Sequence, residues 1–195
     1  MKRQVDDKNI LDEFVKDFVN VIDKYARYII VSGFVAIAHG RSRGTEDIDM
    51  IIEKISKEKF IELHNDLIRA DFEPMQADDP EVLFDKYLND SISVRYTRKD
   101  EPVPEMEVKF AKDFLDELQL RTRKKLSLTG LDVYFSSIEM NIAFKEELLK
   151  SDKDLEDAKH LRIIYKDEIN ESEINEIKKM IKELRLKEAK KKNED

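Results

Sequence analysis

Apolar residues recur along this chain at two different spacings, which predict where its helices and strands lie. Residues 8–27 keep a helical spacing, which predicts an amphipathic packing helix. The apolar run Tyr28–Val31 predicts a buried strand that leads into a turn at residues 32–33. Residues 34–39 then fit a short helix that stops at Gly40, since glycine commonly follows the last turn of a helix.

The middle of the chain continues to alternate between the two spacings. Residues 57–70 predict a second amphipathic helix, and residues 81–88 predict a shorter helical turn. Alternation of period two predicts strands over residues 92–97 and 105–110. Between these strands, Pro102-Val103-Pro104 is expected to form a loop, because proline has no N–H to donate to a strand ladder.

The last third of the chain is expected to be helical after one more pair of strands. Residues 125–129 and 131–135 predict two strands that turn at Gly130. Helical spacing returns over three ranges: 138–149, 155–165 and 174–184.

This order of elements predicts an α/β (α+β) fold, with a small mixed twisted sheet that carries helices on one face. The other face is expected to carry the chemically active carboxylates, and a helical C-terminal part closes one wall of a cleft. We expect residues 1–136 to form the sheet-containing domain, including the packing helix 8–27, and residues 137–195 to form the helical region.

Two aspartates stand two residues apart in the second apolar strand of the chain. Because alternate residues of a strand point to the same face, Asp47 and Asp49 project together while Ile48 and Met50 face a core. Adjacent carboxylates repel one another unless a cation lies between them. Mg²⁺ is the usual cation for oxygen ligands and phosphate chemistry, so this pair predicts a magnesium site.

Phosphate chemistry also requires groups that hold the phosphates and a group that accepts a proton. The backbone N–H groups of the turn at Ser32 and Gly33 can hold phosphate oxygens, as helix N-termini hold anions. Glu105 and Glu107 share one face of a later strand, and we prefer Glu107 as a third metal ligand or base because it lies deeper in that strand. Together these features are typical of phosphoryl or nucleotidyl transfer.

Each of these features has a simpler interpretation when it is taken alone. An Asp-x-Asp pair is common on solvated strands, and Ser-Gly can precede a helix for structural reasons alone. The combination at this spacing, with Arg41, Arg43 and Thr45 between the two motifs, favours a functional site. We expect the histidines to be structural, the first at an exposed helix end and the others on packing helices: His39, His64 and His160.

Composition narrows the possible classes of function. The chain has no cysteine, which excludes disulfide frameworks and thiolate zinc sites. It shows no apolar run of membrane-spanning length and no secretion signal, so we expect a cytoplasmic protein without a membrane partner. The net charge of −8 argues against a broad nucleic-acid-binding surface. A local basic run can either steer an RNA backbone or form a solvated strand edge: Arg121, Arg123, Lys124 and Lys125.

The motifs resemble those of the nucleotidyltransferase superfamily with the DNA-polymerase-β-like fold, in particular the AbiEii-type minimal nucleotidyltransferases. Their first motif, a glycine turn before a small-residue helix, is similar to Ser32-Gly33-Phe34-Val35-Ala36, although the usual Gly-Ser order is reversed here. Their second motif is similar to Arg43-Gly44-Thr45-Glu46-Asp47-Ile48-Asp49. Lys145 and the later pair Lys153-Asp154 match, in order, the lysine and Lys-Asp pair that complete such sites.

The resemblance implies the nucleotidyltransferase fold and transfer of a nucleoside monophosphate from an NTP to an acceptor hydroxyl. It implies Mg²⁺ held by Asp47, Asp49 and Glu107. Lys145 would contact the triphosphate, with Arg43 as a helper, and Asp154 would support the active centre. The catalytic residues implied are Asp47, Asp49, Glu107, Lys145 and Asp154. The nucleotide-binding residues implied are Ser32, Gly33, Arg43, Thr45 and Lys145.

The acceptor and the partners stay open at this point. AbiEii-type relatives are often toxins of toxin–antitoxin or phage-defence systems, and other members modify small antibiotics or proteins. The acceptor can therefore be an RNA or tRNA end, a protein or a small molecule, and an antitoxin partner and a monomer or homodimer are all compatible. Two other classes are a non-catalytic nucleotide- or partner-binding protein of the same fold, and a helical interaction protein that uses the apolar stripe 174–184.

Overall fold

The structure, a computed structural model, describes residues 10–42, 44–45 and 47–191. The strands in this part of the chain form one sheet: β1 Tyr28–Val31, β2 Asp47–Ile52, β3 Phe72–Pro74, β4 Val94–Arg98, β5 Glu101–Phe110, β6 Lys124–Lys125 and β7 Tyr134–Phe135. The helices are α1 Ile10–Ile22, α2 Gly33–Ala38, α3 Lys57–Arg69, α4 Pro80–Leu83, α5 Phe114–Arg121, α6 Ile138–Phe144, α7 Asp152–Ile164 and α8 Glu171–Lys191.

Two of the helices continue into wider helical turns. α4 extends into a π-helical turn over Phe84–Leu88, and α6 extends into another over Lys145–Leu149. Among the described residues, no helix has both the length and the apolar composition that crossing a membrane would require.

The sheet is mixed and has the strand order β3-β4-β5-β2-β1-β7-β6, which places β2 at its centre. β2 runs antiparallel to β1 and parallel to β5. β4 is antiparallel to β5, and β7 is parallel to β1. This small mixed sheet with its packed helices confirms the predicted α/β class.

The main hydrophobic core lies on one face of the sheet. Ile48 and Met50 of β2 are completely buried in it, because alternate residues of the strand point to the same side. Phe14 and Phe18 of α1 pack edge-on against Phe72, with ring centroids 5.5 and 5.0 Å apart. The prediction that the first helix packs through its apolar face is therefore confirmed.

The opposite face of the sheet is divided between a small apolar cluster and a polar end. Ile29, Ile51 and Leu120 form the cluster where α5 crosses β1 and β2. Asp47 and Asp49 lie on the same face as Ile51 but further towards the start of β2, where Asp47 is exposed and Asp49 is half-buried. The carboxylates are therefore on the face opposite the main core, as predicted.

The predicted loop at Pro102-Val103-Pro104 is wrong, because β5 begins at Glu101 and runs through both prolines. The first residue of β2, Asp47, pairs with Glu105, so the preceding part of β5 extends beyond the end of β2. Residues 101–104 of β5 therefore have no β2 partner on one side. A strand tolerates proline at such a position, because no hydrogen bond from its nitrogen is needed there.

Two other predicted boundaries are wrong. The strand expected over residues 125–129 is only Lys124–Lys125, and residues 127–129 form a 3₁₀ turn in which the Thr129 hydroxyl donates to the Leu126 carbonyl (2.7 Å). The first helix ends at Ile22 and does not reach residue 27, because residues 23–25 form a turn that leads into β1.

The C-terminal helices attach to the sheet layer partly through His39, which follows α2 and faces α7. His39 is only 8% exposed, so the expectation of an exposed helix end is wrong. Its Nδ1 lies 2.6 Å from the Val35 carbonyl and its Nε2 lies 2.7 Å from the Tyr165 hydroxyl. Because a carbonyl only accepts hydrogen bonds, Nδ1 carries the proton, and Nε2 of the neutral ring accepts from Tyr165.

Burial keeps His39 in this neutral form. Desolvation lowers the pKa of His39, and the nearby His160 lowers it further, which outweighs the opposing effect of the bond to Val35. The same burial effect lowers the pKa of His64, whose Nδ1 lies 3.0 Å from the Tyr96 hydroxyl inside the core. Both side chains are structural, as the sequence predicts for His64.

We predict that His39 makes the fold sensitive to mild acid. Because its folded pKa is lowered, the unfolded chain takes up the proton first as the pH falls below the ordinary value of about 6.5. Between about pH 7.5 and 5.5 the wild type should lose up to about 1.4 kcal/mol of unfolding free energy more than His39→Gln does. Urea unfolding at both pH values measures the two losses of unfolding free energy. Both proteins retain His64, so its contribution to the pH dependence cancels in the comparison. Equal losses in the two proteins would contradict the prediction.

Candidate active site

The two aspartates lie beside two glutamates of the neighbouring strand. In the parallel register of β2 and β5, Asp47 is opposite Glu105 and Asp49 is opposite Glu107. All four side chains share the sheet face that the main core leaves free, because their positions have the same parity. The register thus brings Glu107 next to Asp49, as the sequence predicts.

Asp49 is the more enclosed member of the aspartate pair. Burial raises its pKa, and the nearby carboxylates of Glu107 and Asp47 add to the shift. The nearby Ser32 side chain and the positive charge of Lys109 oppose it. The ionised carboxylate of Asp49 is therefore held at an energetic cost, which a bound cation would reduce.

Asp47 is more exposed and is oriented by the loop that precedes it. The Thr45 hydroxyl lies 2.9 Å from the Asp47 carboxylate and 3.0 Å from the Asp47 carbonyl. Thr45 thus contacts the aspartate pair directly. Arg43, the predicted helper for the triphosphate, lies outside the described residues.

The turn between β1 and α2 has an unusual backbone conformation at Ser32. Its φ is 66° and its ψ is −136°, a region that residues with a Cβ rarely adopt. Gly33 follows as the first residue of α2 and is buried. Val31 pairs with Asp49, so the antiparallel register of β1 and β2 places this turn beside the aspartate.

β5 brings Glu107 to the site, but the carboxylate of Glu107 accepts hydrogen bonds from Arg95 on β4 and from Ser93 just before that strand. The Ser93 hydroxyl donates to Glu107 Oε1 (2.7 Å), and Arg95 Nε donates to Glu107 Oε2 (3.2 Å). Arg95 also lies 3.8 Å from a carboxylate oxygen of Glu105. Among the described residues, no group of three or more acidic, histidine or cysteine side chains is placed to hold a metal ion.

Lys145 and Asp154, two further residues of the predicted site, come together in a buried ion-pair network. The Lys145 side chain is 1% exposed, and its ammonium lies 2.9 Å from Asp157 and 3.3 Å from Asp154. Asp157 is completely buried and also pairs with Arg41, which follows α2. The network therefore joins α2, the turn after α6, and α7.

Sequence reasoning assigned no role to Asp157 or Arg41 in this network. A usable signal is the spacing of Asp154 and Asp157, because residues three apart lie on one helix face and can bind the same lysine. No comparable pattern identifies Arg41, since its partner lies more than a hundred positions later in the chain.

A cavity of about 220 Å³ lies between the sheet and the C-terminal helices. Ser32 and Asp49 line its sheet side, and Lys145 lines the opposite side. α8 contributes Ile181 and Leu184 to its wall. The cavity therefore gathers predicted site residues from three parts of the chain, whereas Gly33, Asp47, Glu107 and Asp154 do not line it.

The residues present fit a magnesium ion. Asp47 and Asp49 supply hard oxygen ligands on one strand face, and burial and the neighbouring carboxylates raise the pKa of Asp49, so a cation there would stabilise its ionised form. Protein sites often hold Mg²⁺ through one or two carboxylates, with substrate phosphates and water as the other ligands. Two aspartates are therefore a sufficient protein contribution.

Comparison with solved structures identifies the fold. The solution structure of the antibiotic-resistance factor ANT(2'')-Ia matches with a TM-score of 0.58 at 11% identity, covering 95% of this chain and 98% of that chain. The crystal structure of ANT(2'')-Ia in complex with adenylyl-2''-tobramycin matches with a TM-score of 0.55 at 14% identity, covering 90% and 98%.

A third structure, of an antigenic nucleotidyltransferase-like protein from Paracoccidioides brasiliensis, gives a TM-score of 0.49 at 16% identity and covers 92% of this chain and 89% of that chain. No protein-family model matches this sequence, and no curated protein matches it significantly. The two likenesses to ANT(2'')-Ia show that this chain has the nucleotidyltransferase fold predicted from its motifs.

We predict that two substitutions of Ser32 separate the contribution of its hydroxyl to stability from the cost of its strained backbone. Ser32→Ala keeps the positive φ and loses the hydroxyl that favours the ionised carboxylate of Asp49, which should lower the unfolding free energy by about 1 kcal/mol. Ser32→Gly loses the same hydroxyl but relieves the strain, so it should be more stable than Ser32→Ala by about 1 kcal/mol. Urea unfolding at neutral pH measures both, and an alanine variant as stable as the glycine variant would contradict the strain.

Proposed function

We propose that this chain is a Mg²⁺-dependent nucleotidyltransferase that moves a nucleoside monophosphate from an NTP to an acceptor hydroxyl. The observation that carries the proposal is the position of Asp47 and Asp49. They share one strand face beside the Ser32–Gly33 turn, at the edge of a cavity in a nucleotidyltransferase fold. The motif resemblance, including its AbiEii-type features, supports the same reaction.

The proposed reaction assigns roles to the aspartate pair and to the residues beside it. Asp47 and Asp49 would hold Mg²⁺, and the ion, when bound, neutralises charge on the phosphates. Ser32 and Gly33 would contact phosphate oxygens through the turn, and Thr45 keeps Asp47 in place. The acceptor oxygen bonds to the α-phosphorus while the bond to pyrophosphate breaks.

Glu107 is the proposed recipient of the acceptor proton. To reach an acceptor, its carboxylate would exchange the bonds to Ser93 and Arg95 for one to the hydroxyl. Lys145 and Asp154 are proposed first as positioning residues, because their ion pair holds the wall of the cavity together. A triphosphate at this wall would compete with Asp154 for the ammonium of Lys145.

The acceptor is proposed to be a small molecule rather than an RNA end or a protein. One ANT(2'')-Ia structure is a complex with adenylyl-2''-tobramycin, a nucleotidylated small molecule, which supports this class for a chain of the same fold. A toxin–antitoxin role, with a tRNA acceptor and an antitoxin partner, is supported only by the motif resemblance.

A second candidate is a non-catalytic nucleotide-binding protein of the same fold. The observation that favours it is the carboxylate of Glu107, which pairs with Arg95 and does not join the aspartates. The position of the aspartate pair favours the enzyme, because two carboxylates on one strand face are the ligands that a catalytic metal ion needs.

We predict that transfer of label from α-labelled NTPs depends on Asp47. The wild type with Mg²⁺ and a whole-cell extract should incorporate label, and Asp47→Asn should lower the rate by at least about a hundredfold, as expected when a metal ligand is lost. Asp90→Asn, at an exposed position outside the site, is the matched control and should keep the wild-type rate. Equal incorporation by Asp47→Asn and the wild type would contradict the proposed enzyme.

A further inference from the structure

The cavity beside Asp49 contains a set of polar side chains that the proposed reaction has not used. Asp116 and Gln119 of α5 and Asn141 of α6 line it, and they are 5%, 3% and 4% exposed. Buried polar groups of this kind normally have hydrogen-bond partners. Their convergence on one cavity is what a binding site for a small molecule requires.

Each of these three side chains is fixed on one side. The Ser136 hydroxyl donates to Gln119 Oε1 (2.8 Å), and the Lys112 N–H donates to Asp116 Oδ2 (3.2 Å). Asn141 Nδ2 donates to the carbonyls of Ser136 (3.0 Å) and Ser137 (2.9 Å). Within the described residues, no hydrogen bond engages the amide nitrogen of Gln119 or the side-chain oxygen of Asn141.

The groups left over therefore offer both a donor and acceptors to the cavity. The Gln119 amide can donate, whereas the Asn141 oxygen and the Asp116 carboxylate can accept. A hydroxyl group both donates and accepts, so a ligand with more than one hydroxyl satisfies this set. The transfer reaction also needs a hydroxyl near Asp49, which lines the same cavity.

The wall opposite the sheet is apolar apart from Lys145. It includes Phe144 and Leu148, on α6 and the turn that continues it, and Ile181 and Leu184 of α8. These side chains can cover the carbon skeleton of a ligand, while the polar floor orients it. The volume of about 220 Å³ is below the range of about 300 to 1,000 Å³ of drug-sized pockets, so the ligand is small.

Three further cations line the cavity, namely Lys109, Lys112 and Arg185. Asp113 lines it too, but its carboxylate accepts hydrogen bonds from the N–H groups of Leu115 and Asp116 at the start of α5. No ion pair joins any of the three cations to a carboxylate in the part of the chain that the structure describes. Lys109 acts electrostatically on both Asp49 and Asp116, so it lies near both of them. In a chain with a net charge of −8, three cations without carboxylate partners at one cavity favour an anionic ligand.

We propose that the part of this cavity lined by Asp116, Gln119 and Asn141 is the acceptor pocket and that it takes a small, hydroxyl-bearing anion, of the class of sugar phosphates and hydroxy acids. The inference rests on the proposed function and gives its acceptor a chemical class. The hydroxyls of the ligand form hydrogen bonds with Asp116, Gln119 and Asn141 on the floor of the cavity. Its anionic group pairs with Lys112 and Arg185 at the rim.

The same charges disfavour other acceptors. A polycation such as an aminoglycoside would bring ammonium groups near Lys109, Lys112 and Arg185, while Asp49 is assigned to the metal ion. An RNA chain would have to enter a small cavity covered by α8, against the repulsion of a protein with a net charge of −8.

The test divides an extract of the cells that encode the protein into a small-molecule filtrate, RNA and protein. Each fraction is incubated with the full chain, Mg²⁺ and α-labelled NTPs, and calorimetry separately measures binding of Mg²⁺–NTP. Label should enter the filtrate. Treating the filtrate beforehand with an anion-exchange resin should remove the acceptor, and a cation-exchange resin should leave it.

The matched variants reverse charges at the rim and elsewhere. Lys112→Glu with Arg185→Glu should lower transfer to the filtrate by at least about tenfold, because both rim cations would then repel the ligand. Lys86→Glu with Lys99→Glu makes the same change in net charge at exposed positions outside the cavity and should keep the rate. Both variants should bind Mg²⁺–NTP, which shows that they are folded.

Several outcomes would overturn the acceptor class while leaving the reaction in place. They are label in RNA or protein, an acceptor removed only by the cation exchanger, equal transfer by the rim variant, and NTP binding with no label in any fraction. Absence of both NTP binding and label would overturn the proposed function itself, so the two failures are distinguishable.

Discussion

The constraint on which the rest of this structure depends is the repulsion between carboxylates on one face of the central strand. β2 is paired on both sides, so its register fixes Asp47 and Asp49 together and sets Glu107 beside them. Burial makes the charge of Asp49 expensive, and Ser32 and Lys109 compensate it only in part. A divalent cation at this position would reduce the cost of the charge on Asp49, which is why we regard this end of the sheet as the functional end.

The second determinant is the buried network that fixes the far wall of the cavity. Lys145 is bound by Asp154 and Asp157, and Arg41 binds Asp157 from the segment that follows α2. Removing one partner of such a network leaves a buried charge without compensation, which is more damaging than never having had the pair. The network therefore couples the aspartate side of the cavity to α7, and His39 with Tyr165 makes a second, uncharged link between the same elements.

Much of the fold could be predicted because its strands and helices follow clear periodicities. The aspartate pair, the turn at Ser32 and the parity of Glu107 also follow from local sequence, since strand alternation decides which side chains share a face. Local sequence cannot predict the hydrogen-bond partners of the Glu107 carboxylate, because Ser93 and Arg95 come close to it only when β4 pairs with β5. It also cannot reveal the floor of the cavity, because α5 and α6 bring Asp116, Gln119 and Asn141 together only in the folded chain. Local sequence also cannot reveal the strand through Pro102 and Pro104, because the register that starts β2 opposite Glu105 leaves these prolines without a β2 partner.

The measurement that tests the central claim most directly is calorimetry of ATP, CTP, GTP and UTP binding, with and without Mg²⁺, to the wild type and to Asp49→Asn. This substitution keeps the size of the side chain and removes the charge that the cation is proposed to compensate. We expect at least one NTP to bind the wild type only with Mg²⁺. Asp49→Asn should lose this binding while remaining folded. Nucleotide binding that needs no metal and is unchanged in Asp49→Asn would contradict this expectation.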